Sequence, residues 1–285
     1  MKIKISADST CDLSKELVEK NDISIVPLFV SLGSENLLDG ETIHPQDIYN
    51  YYASTKKLPK TGARSIEEYS DFFRNILTSG YDAIVHFTIS SDMSSSYNNA
   101  QKAAAKFRNV YVVDSRTLST GIGLLVLDAC DMVKKGMDAQ SIANRAQARS
   151  GAVQASFVID SLEFLYKGGR CSALSYLGAN LMRTKPCISV EKGKMGVWQK
   201  PVGSYKRCVA KYVNAVHDNY TTPDKTRCFV THTQMEEGIT ESVKEMVKSW
   251  GIFDEILETT AGCTITTHCG ANTIGVLFIN DGGVK

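Results

Sequence analysis

The sequence predicts an α/β protein of two lobes: an N-terminal domain on a parallel sheet, residues 1–160, and a C-terminal α+β domain, residues 161–285, with an anion site between them. Three observations predict it. A chain of 285 residues can fill two cores of roughly 140 residues each. Its first half alternates short strands with amphipathic helices, the signature of a parallel layer. Past the Gly168-Gly169 pair the pattern changes to a hairpin and mixed elements.

Alternation of polar and apolar residues marks strands at 3–7, 23–30, 82–88, 110–114 and 155–160. Between them, Ile66, Tyr69, Phe72, Phe73, Ile76 and Leu77 recur at three- and four-residue spacing. They predict a helix over 65–78 that Ser65 caps together with Glu68 and Gly80 stops. Further helices follow at 95–107, at 121–133 closed by Gly136, and at 139–149 capped by Asp138. In the second half, 161–185 holds the glycine pair and a short apolar helix. Pro186 to Pro201 reads as a hairpin turning at Gly193-Lys194, followed by a helix at 206–219, a strand at 227–232, a helix at 237–249, and strands at 263–267 and 275–279.

Composition excludes several classes. With 43% apolar and 22% charged residues the chain is neither disordered nor fibrous, and its formal charge of +1 lacks the excess of a dedicated nucleic-acid binder. The eight cysteines include no C-x-x-C pair or zinc spacing, and the N-terminus develops no apolar signal-peptide run. No stretch reaches the length of a membrane span. Free structural thiols in a reducing cytoplasm are the simplest assignment.

Polar residues gather where strands end, the place where open α/β sheets bind ligands. They are Asp8-Ser9-Thr10, the serine-rich stretch Ser90 to Ser96, Asp114-Ser115 leading to Ser119-Thr120, Thr231-His232-Thr233 and Thr267-His268. Each is also a good helix cap. The serine stretch, opening a helix, offers hydroxyls and free N–H groups to a carboxylate or phosphate. No Walker loop is present, and Gly121-Ile122-Gly123 lacks the third glycine of a dinucleotide fingerprint, which weakens nucleotide readings. There is no G-x-S-x-G elbow, and Asp8, Asp12 and Asp114 are too scattered for a convincing cation site, so no metal or cofactor is expected. His268 before Gly270, and Lys167-Gly168-Gly169-Arg170, each combine a mobile backbone with an anion-binding group. Between Leu181 and Lys211 the charge is +7, from residues that include Arg183, Lys185, Lys192, Lys194, Lys200, Lys206, Arg207 and Lys211; it forms a local basic face.

In this order the motifs resemble the DegV family of bacterial lipid-binding proteins. The resemblance rests on Ser6-Ala7-Asp8-Ser9-Thr10-Cys11-Asp12-Leu13, Pro27-Leu28, Ile89-Ser90-Ser91 with Ser94 and Tyr97, and Val113-Asp114-Ser115. It continues through Phe157 to Leu162, Lys167-Gly168-Gly169-Arg170, and His268 with Gly270 and Gly275. It implies a fatty-acid carrier without catalysis of its own, enclosing one long-chain fatty acid between the lobes. The carboxylate would be held by Thr61, Ser94 and the amide of Ser95, with Arg170 and His268 near the head group. It further implies that a separate ATP-dependent fatty acid kinase phosphorylates the bound acid, for which Lys200, Lys206 and Arg207 are a natural docking face. Where the family usually has Thr-Ser-Gln-Pro-Ser, Ser-Gly-Thr and His-x-Gly-Pro-Gly, this chain has Thr61-Gly62-Ala63-Arg64-Ser65, Ser94-Ser95-Ser96 and His268-Cys269-Gly270-Ala271-Asn272. Two other classes stay open: an enzyme using His268 or Asp114 as acid or base on a small acid or phosphoester, and a nucleic-acid-associated protein using the 183–211 face.

Overall fold

The structure is a computed structural model that describes residues 1–171 and 184–283. Its first sheet is wholly parallel, in the order β2 (Ser24–Val26), β1 (Ile3–Asp8), β6 (Ala83–Thr88) and β7 (Val110–Asp114). Such a sheet needs cover on both faces. On one side α3 (Ile66–Thr78) and α4 (Ser96–Ala104) pack Tyr69, Phe73, Ala100 and Ala103 against Ile84. On the other, α5 (Thr120–Lys134) and α6 (Ala139–Arg149) pack Ile122, Leu125 and Ile142 against Val85 and Phe87. The period-2 alternation of β6 thus feeds two cores. The helix expected at 65–78 has its cap as read: Ser65 Oγ accepts from Glu68 N, and the Glu68 side chain accepts from Ser65 N at 2.8 Å.

The strand expected at 23–30 is two strands. Pro27 has no N–H to continue the ladder, so β2 ends at Val26 and β3 (Phe29–Leu32) joins a separate antiparallel sheet, between β4 (Glu35–Leu38) and β5 (Lys60–Gly62). A short helix α1 (Lys15–Lys20) precedes β2. Helix α2 (Pro45–Thr55), not anticipated, lies between β4 and β5 and starts with proline at its first position.

The second sheet has seven strands. Along its main path run β11 (Lys194–Gln199), β10 (Cys187–Glu191), β9 (Ser156–Ile159), β14 (Thr273–Ile279), β12 (Cys228–His232) and β13 (Ile256–Thr260), and the two-residue β8 (Val153–Gln154) also pairs with β14. The strand expected at 155–160 therefore belongs to this sheet and not to the parallel layer. Helices α8 (Tyr205–Asn219) and α9 (Ile239–Ser249) cover one face through Tyr212, Val213 and Val243. The β10–β11 hairpin turns at Lys192-Gly193, one residue earlier than the sequence suggested. Both residues have positive φ, 50° and 86°, as a two-residue primed turn requires, and Glu191 pairs with Lys194.

The segment 263–267, expected as a strand, is the start of helix α10 (Cys263–Cys269). Its β-branched residues favour a strand locally, but a tertiary cap overrides them. Asp39 accepts the N–H groups of Cys263 at 2.7 Å and Thr264 at 3.0 Å, and Asp12 accepts that of Gly262 at 2.9 Å. The short apolar helix expected within 161–185 falls largely outside the described residues. Of that stretch the structure describes α7 (Glu163–Gly168), which Gly169 ends in the left-handed region at φ 68°.

A single hydrophobic cluster runs from Phe87 through Ile122 and Leu125 to Phe157 and Leu277, so the helices α5 and α6 serve both sheets. The same helices carry a buried ionic knot: Arg149 pairs with Asp128 at 2.8 Å, with Asp281 at 2.7 Å, and with Asp224. Burial opposes ionisation of Asp224, but hydrogen bonds from Thr226 and Arg149 outweigh it and hold its carboxyl down to about 2. Breaking a buried pair by removing one partner strands the other charge. Arg149→Met should therefore cost about 3–5 kcal/mol of stability, read from urea unfolding at pH 7.

Candidate functional site

A cavity of about 190 Å3 lies where the parallel sheet, the small antiparallel sheet and the second sheet meet. Thr61, Ser94, Ser95, Arg170 and His268 all line it, so the structure brings together all five residues that the sequence singled out for ligand binding. They arrive from β5, the loop before α4, the stretch after α7, and α10. Leu28, Ile89, Met93, Leu118, Met195, Ile265 and Cys269 make the rest largely apolar. Sequence reading missed these walls, because they come from segments that adjoin only in the folded chain.

The loop 89–96 is tied down through its first half. Asp8, buried at the end of β1, accepts Ile89 N at 2.9 Å, and Ser90 N donates to Thr117 O at 2.9 Å. Burial pushes the Asp8 carboxyl up to about 6, against hydrogen bonds from Thr10 and Ile89. Ser90 Oγ donates to Gly193 O at 2.7 Å, and Ser91 Oγ donates to Asp114. Arg116 pairs with Asp92 at 2.6 Å and reaches the carbonyl of Lys192. These contacts clamp the hairpin tip on the serine loop. Gly193 is required there, since a Cβ would stand 2.7 Å from both Arg116 Cζ and Ser90 Oγ.

Within the loop the roles divide. Ser94 Oγ accepts Ser96 N at 3.2 Å and shares a hydrogen bond with Ser96 Oγ at 2.9 Å, so it satisfies the first N–H of α4 while lining the cavity. Ser95 needs no glycine geometry, with φ −77° and ψ −1°. Asp114 is held by Ser91, Arg116 N and the Arg116 guanidinium and does not line the cavity, so the structure does not bring it to His268. Asp8 and Asp12 are likewise engaged with Thr10, Ile89, Ser119 and Gly262. Among the described residues no cluster of His, Cys, Asp or Glu could hold a metal ion.

His268 faces Thr61 across the cavity, with Nε2 2.8 Å from Thr61 Oγ1. Its Nδ1 is buried without a partner, against the Cα of Gly168, where any side chain would clash with the ring. The Gly168-Gly169 pair thus has two separate reasons: the first makes room for imidazole, the second supplies the left-handed helix stop. Arg170 Nη1 donates to Gly168 O at 2.8 Å and leaves the guanidinium exposed at the rim. Desolvation, with Arg170 adding a smaller contribution, lowers the His268 pKa to about 4, so the ring is neutral at pH 7. In a neutral ring Nε2 either donates to Thr61 Oγ1 or accepts from it, according to the tautomer. After α10, Gly270 packs on Phe164 and Asn272 adopts φ 54°, a conformation that asparagine tolerates.

The basic face is only partly free. Lys185 is paired with Asp160 at 2.5 Å and Lys194 lies 3.6 Å from Asp92, while Lys200, Lys206 and Arg207 are exposed between β11 and the start of α8. Arg183 lies outside the described residues.

A family model described as an uncharacterised protein of the DegV family matches residues 2–281. The chain belongs to the DegV family. A fatty acid-binding protein of Thermotoga maritima is 29% identical over 281 residues, 96% of each chain. Among solved structures, a fatty-acid-binding DegV protein from Thermus thermophilus superposes with a TM-score of 0.91 at 25% identity, covering 99% of this chain and all of that one. A stearic acid-binding protein from Eubacterium ventriosum gives 0.81 at 27% identity, covering 98% of both. No helix among the described residues is long and apolar enough to cross a membrane.

The lowered pKa of His268 has a direct consequence for stability. The unfolded imidazole takes up its proton near pH 6.5 and the folded one near 4, so stability is complete above 6.5 and falls as pH drops through that window. His268→Gln should remove about 2 kcal/mol of the loss between pH 7 and pH 5, measured by urea unfolding at both values.

Proposed function

We propose that this DegV protein is a carrier that binds one long-chain fatty acid, with its carboxylate end in the 190 Å3 cavity. The carboxylate is held by Thr61, Ser94 and the amide of Ser95, with His268 and Arg170 beside it. The observation that carries this reading is the convergence of Thr61, Ser94, Ser95, Arg170 and His268, from separate segments, on one cavity whose other lining residues, Thr264 apart, are apolar. The fatty-acid-binding relatives support it. Binding of a carboxylate by this set requires no cofactor.

Magnitudes assign the roles. About 14 methylenes at about 0.8 kcal/mol each give on the order of 11 kcal/mol of gross burial, against about 1.5–3 kcal/mol for a hydrogen bond to a charged group. The tail sets affinity, and the head-group residues set orientation. A carboxylate presented at a rim bearing Arg170 suits transfer to a second protein, and we infer that a separate ATP-dependent fatty acid kinase takes that place, docking on Lys200, Lys206 and Arg207. The eight free, buried thiols suit a reducing cytoplasm.

Organic extraction of the purified protein followed by mass spectrometry should yield a stoichiometric fatty acid; an empty protein that also refuses added fatty acid would overturn the reading. Ser94→Ala should weaken fatty-acid affinity by about ten- to a hundredfold without abolishing it, and complete loss in a folded variant would contradict the assignment of affinity to the tail. Replacing Lys200, Lys206 and Arg207 together by alanine should leave fatty-acid affinity unchanged and slow phosphorylation by the partner kinase. Unaltered phosphorylation kinetics would remove the docking assignment.

A further inference from the structure

Among the described residues, two that line the 190 Å3 cavity carry a buried polar atom with no hydrogen-bond partner in the protein: His268, through Nδ1, and Thr264, through its hydroxyl. Their causes differ. His268 Nδ1 is shut against Gly168. Thr264 is 5% exposed and sits in the first turn of α10, where its N–H donates to Asp39 at 3.0 Å while its Oγ1 meets no partner.

A threonine hydroxyl in a helix ordinarily bonds back to a carbonyl of the preceding turn. Thr266 does so, donating to Ala261 O at 3.3 Å. Thr264 is the second residue of α10 and has no helical turn behind it. Its hydroxyl is left in a cavity whose other walls include Leu28, Ile89, Met93 and Ile265. Buried polar groups are matched almost without exception, so an unmatched one points to a missing partner. An all-methylene chain laid against Thr264 would seal the hydroxyl off unmatched, whereas a ligand oxygen at that place would satisfy it.

Helix geometry says where on the ligand that oxygen belongs. Thr264 and His268 are four residues apart, so they share one face of α10 and are separated by one turn, about 5.4 Å along the axis. His268 Nε2 lies 2.8 Å from Thr61 Oγ1, at the residues read as holding the carboxylate. A few bonds of an acyl chain cover one turn, which puts the oxygen close to the carboxyl carbon and not far down the tail.

We propose that Thr264 is a specificity-determining residue, and that the site favours a fatty acid carrying a hydroxyl within a few carbons of its carboxylate, hydrogen-bonded to Thr264 Oγ1. This rests on the reading of the cavity as a fatty-acid carboxylate site. Either hydroxyl can donate to the other, so the pair needs no particular protonation state.

The test is calorimetric titration of the delipidated protein, Thr264→Val and Thr264→Ser with β-hydroxypalmitic acid and palmitic acid. Valine keeps the shape of threonine and the N–H that Asp39 accepts but removes the hydroxyl, and serine restores it; Thr264→Ala stands in should the valine variant not fold. Wild type and Thr264→Ser should bind the hydroxy acid about tenfold more tightly than palmitic acid, and Thr264→Val should lose that preference. A wild-type protein without the preference, or a Thr264→Val variant that keeps it, would overturn the proposal. Equal loss of affinity for both acids in Thr264→Val would overturn it too, because the hydroxyl would then serve the carboxylate itself. In each of these cases binding of palmitic acid by the wild type leaves the fatty-acid reading intact, whereas wild-type protein that binds neither acid would overturn both.

Discussion

The site depends on a cap. Helix α10 carries His268 and the apolar residues Ile265 and Cys269, yet its sequence, Cys-Thr-Ile-Thr-Thr-His-Cys, contains neither a strong helix former nor a local N-cap. What makes it helical is Asp39, buried in the loop after β4, which accepts two of its first N–H groups, with Asp12 taking the N–H of Gly262 just before them. Ser9 holds Asp39 in turn, and Ser119 holds Asp12, so strand-end loops of the first lobe dictate the conformation of a site helix in the second. Burial pushes the Asp12 carboxyl up to about 8, which reflects how completely this junction excludes water. The geometry around His268 thus begins some 230 residues away in sequence, at Asp39.

How much of this was legible follows from the same distinction. Helix α3 announced itself because everything that makes it lies within the sixteen residues from Ser65 to Gly80: the stripe, Ser65, Glu68 and the stop at Gly80. The parallel sheet was legible from strand–helix alternation, and His268, Arg170, Thr61 and Ser94 were reached through motifs. The element carrying His268 was read as a strand, because threonine and isoleucine say strand until a remote carboxylate supplies the cap. The break at Pro27 was visible in principle, since a residue without an N–H cannot extend a ladder. Nothing local marks Met93, Met195 or Leu118 as cavity walls, for burial at that point is a property of three sheets meeting.

The serine loop shows how chemically identical residues are divided between internal contacts and the cavity. Ser90 and Ser91 face the hairpin tip and Asp114, Ser96 is buried in the first turn of α4, and Ser94 and Ser95 are left at the cavity. Arg116, itself at φ 54°, ties Asp92 to the carbonyl of Lys192 and so closes the loop against the second lobe. Both lobes therefore shape the cavity that Ser94 and Ser95 line.

All eight cysteines are free and buried, and burial raises the pKa of seven of them strongly or, at Cys208, in the same direction. A thiol that is both uncharged and out of reach of solvent reacts only when the fold around it opens. They are spread over both lobes, from Cys11 beside β1 to Cys269 at the cavity wall. The chain therefore carries its own set of clocks: the rate at which each sulfur becomes alkylable times the opening of the region it sits in, without any label having to be added.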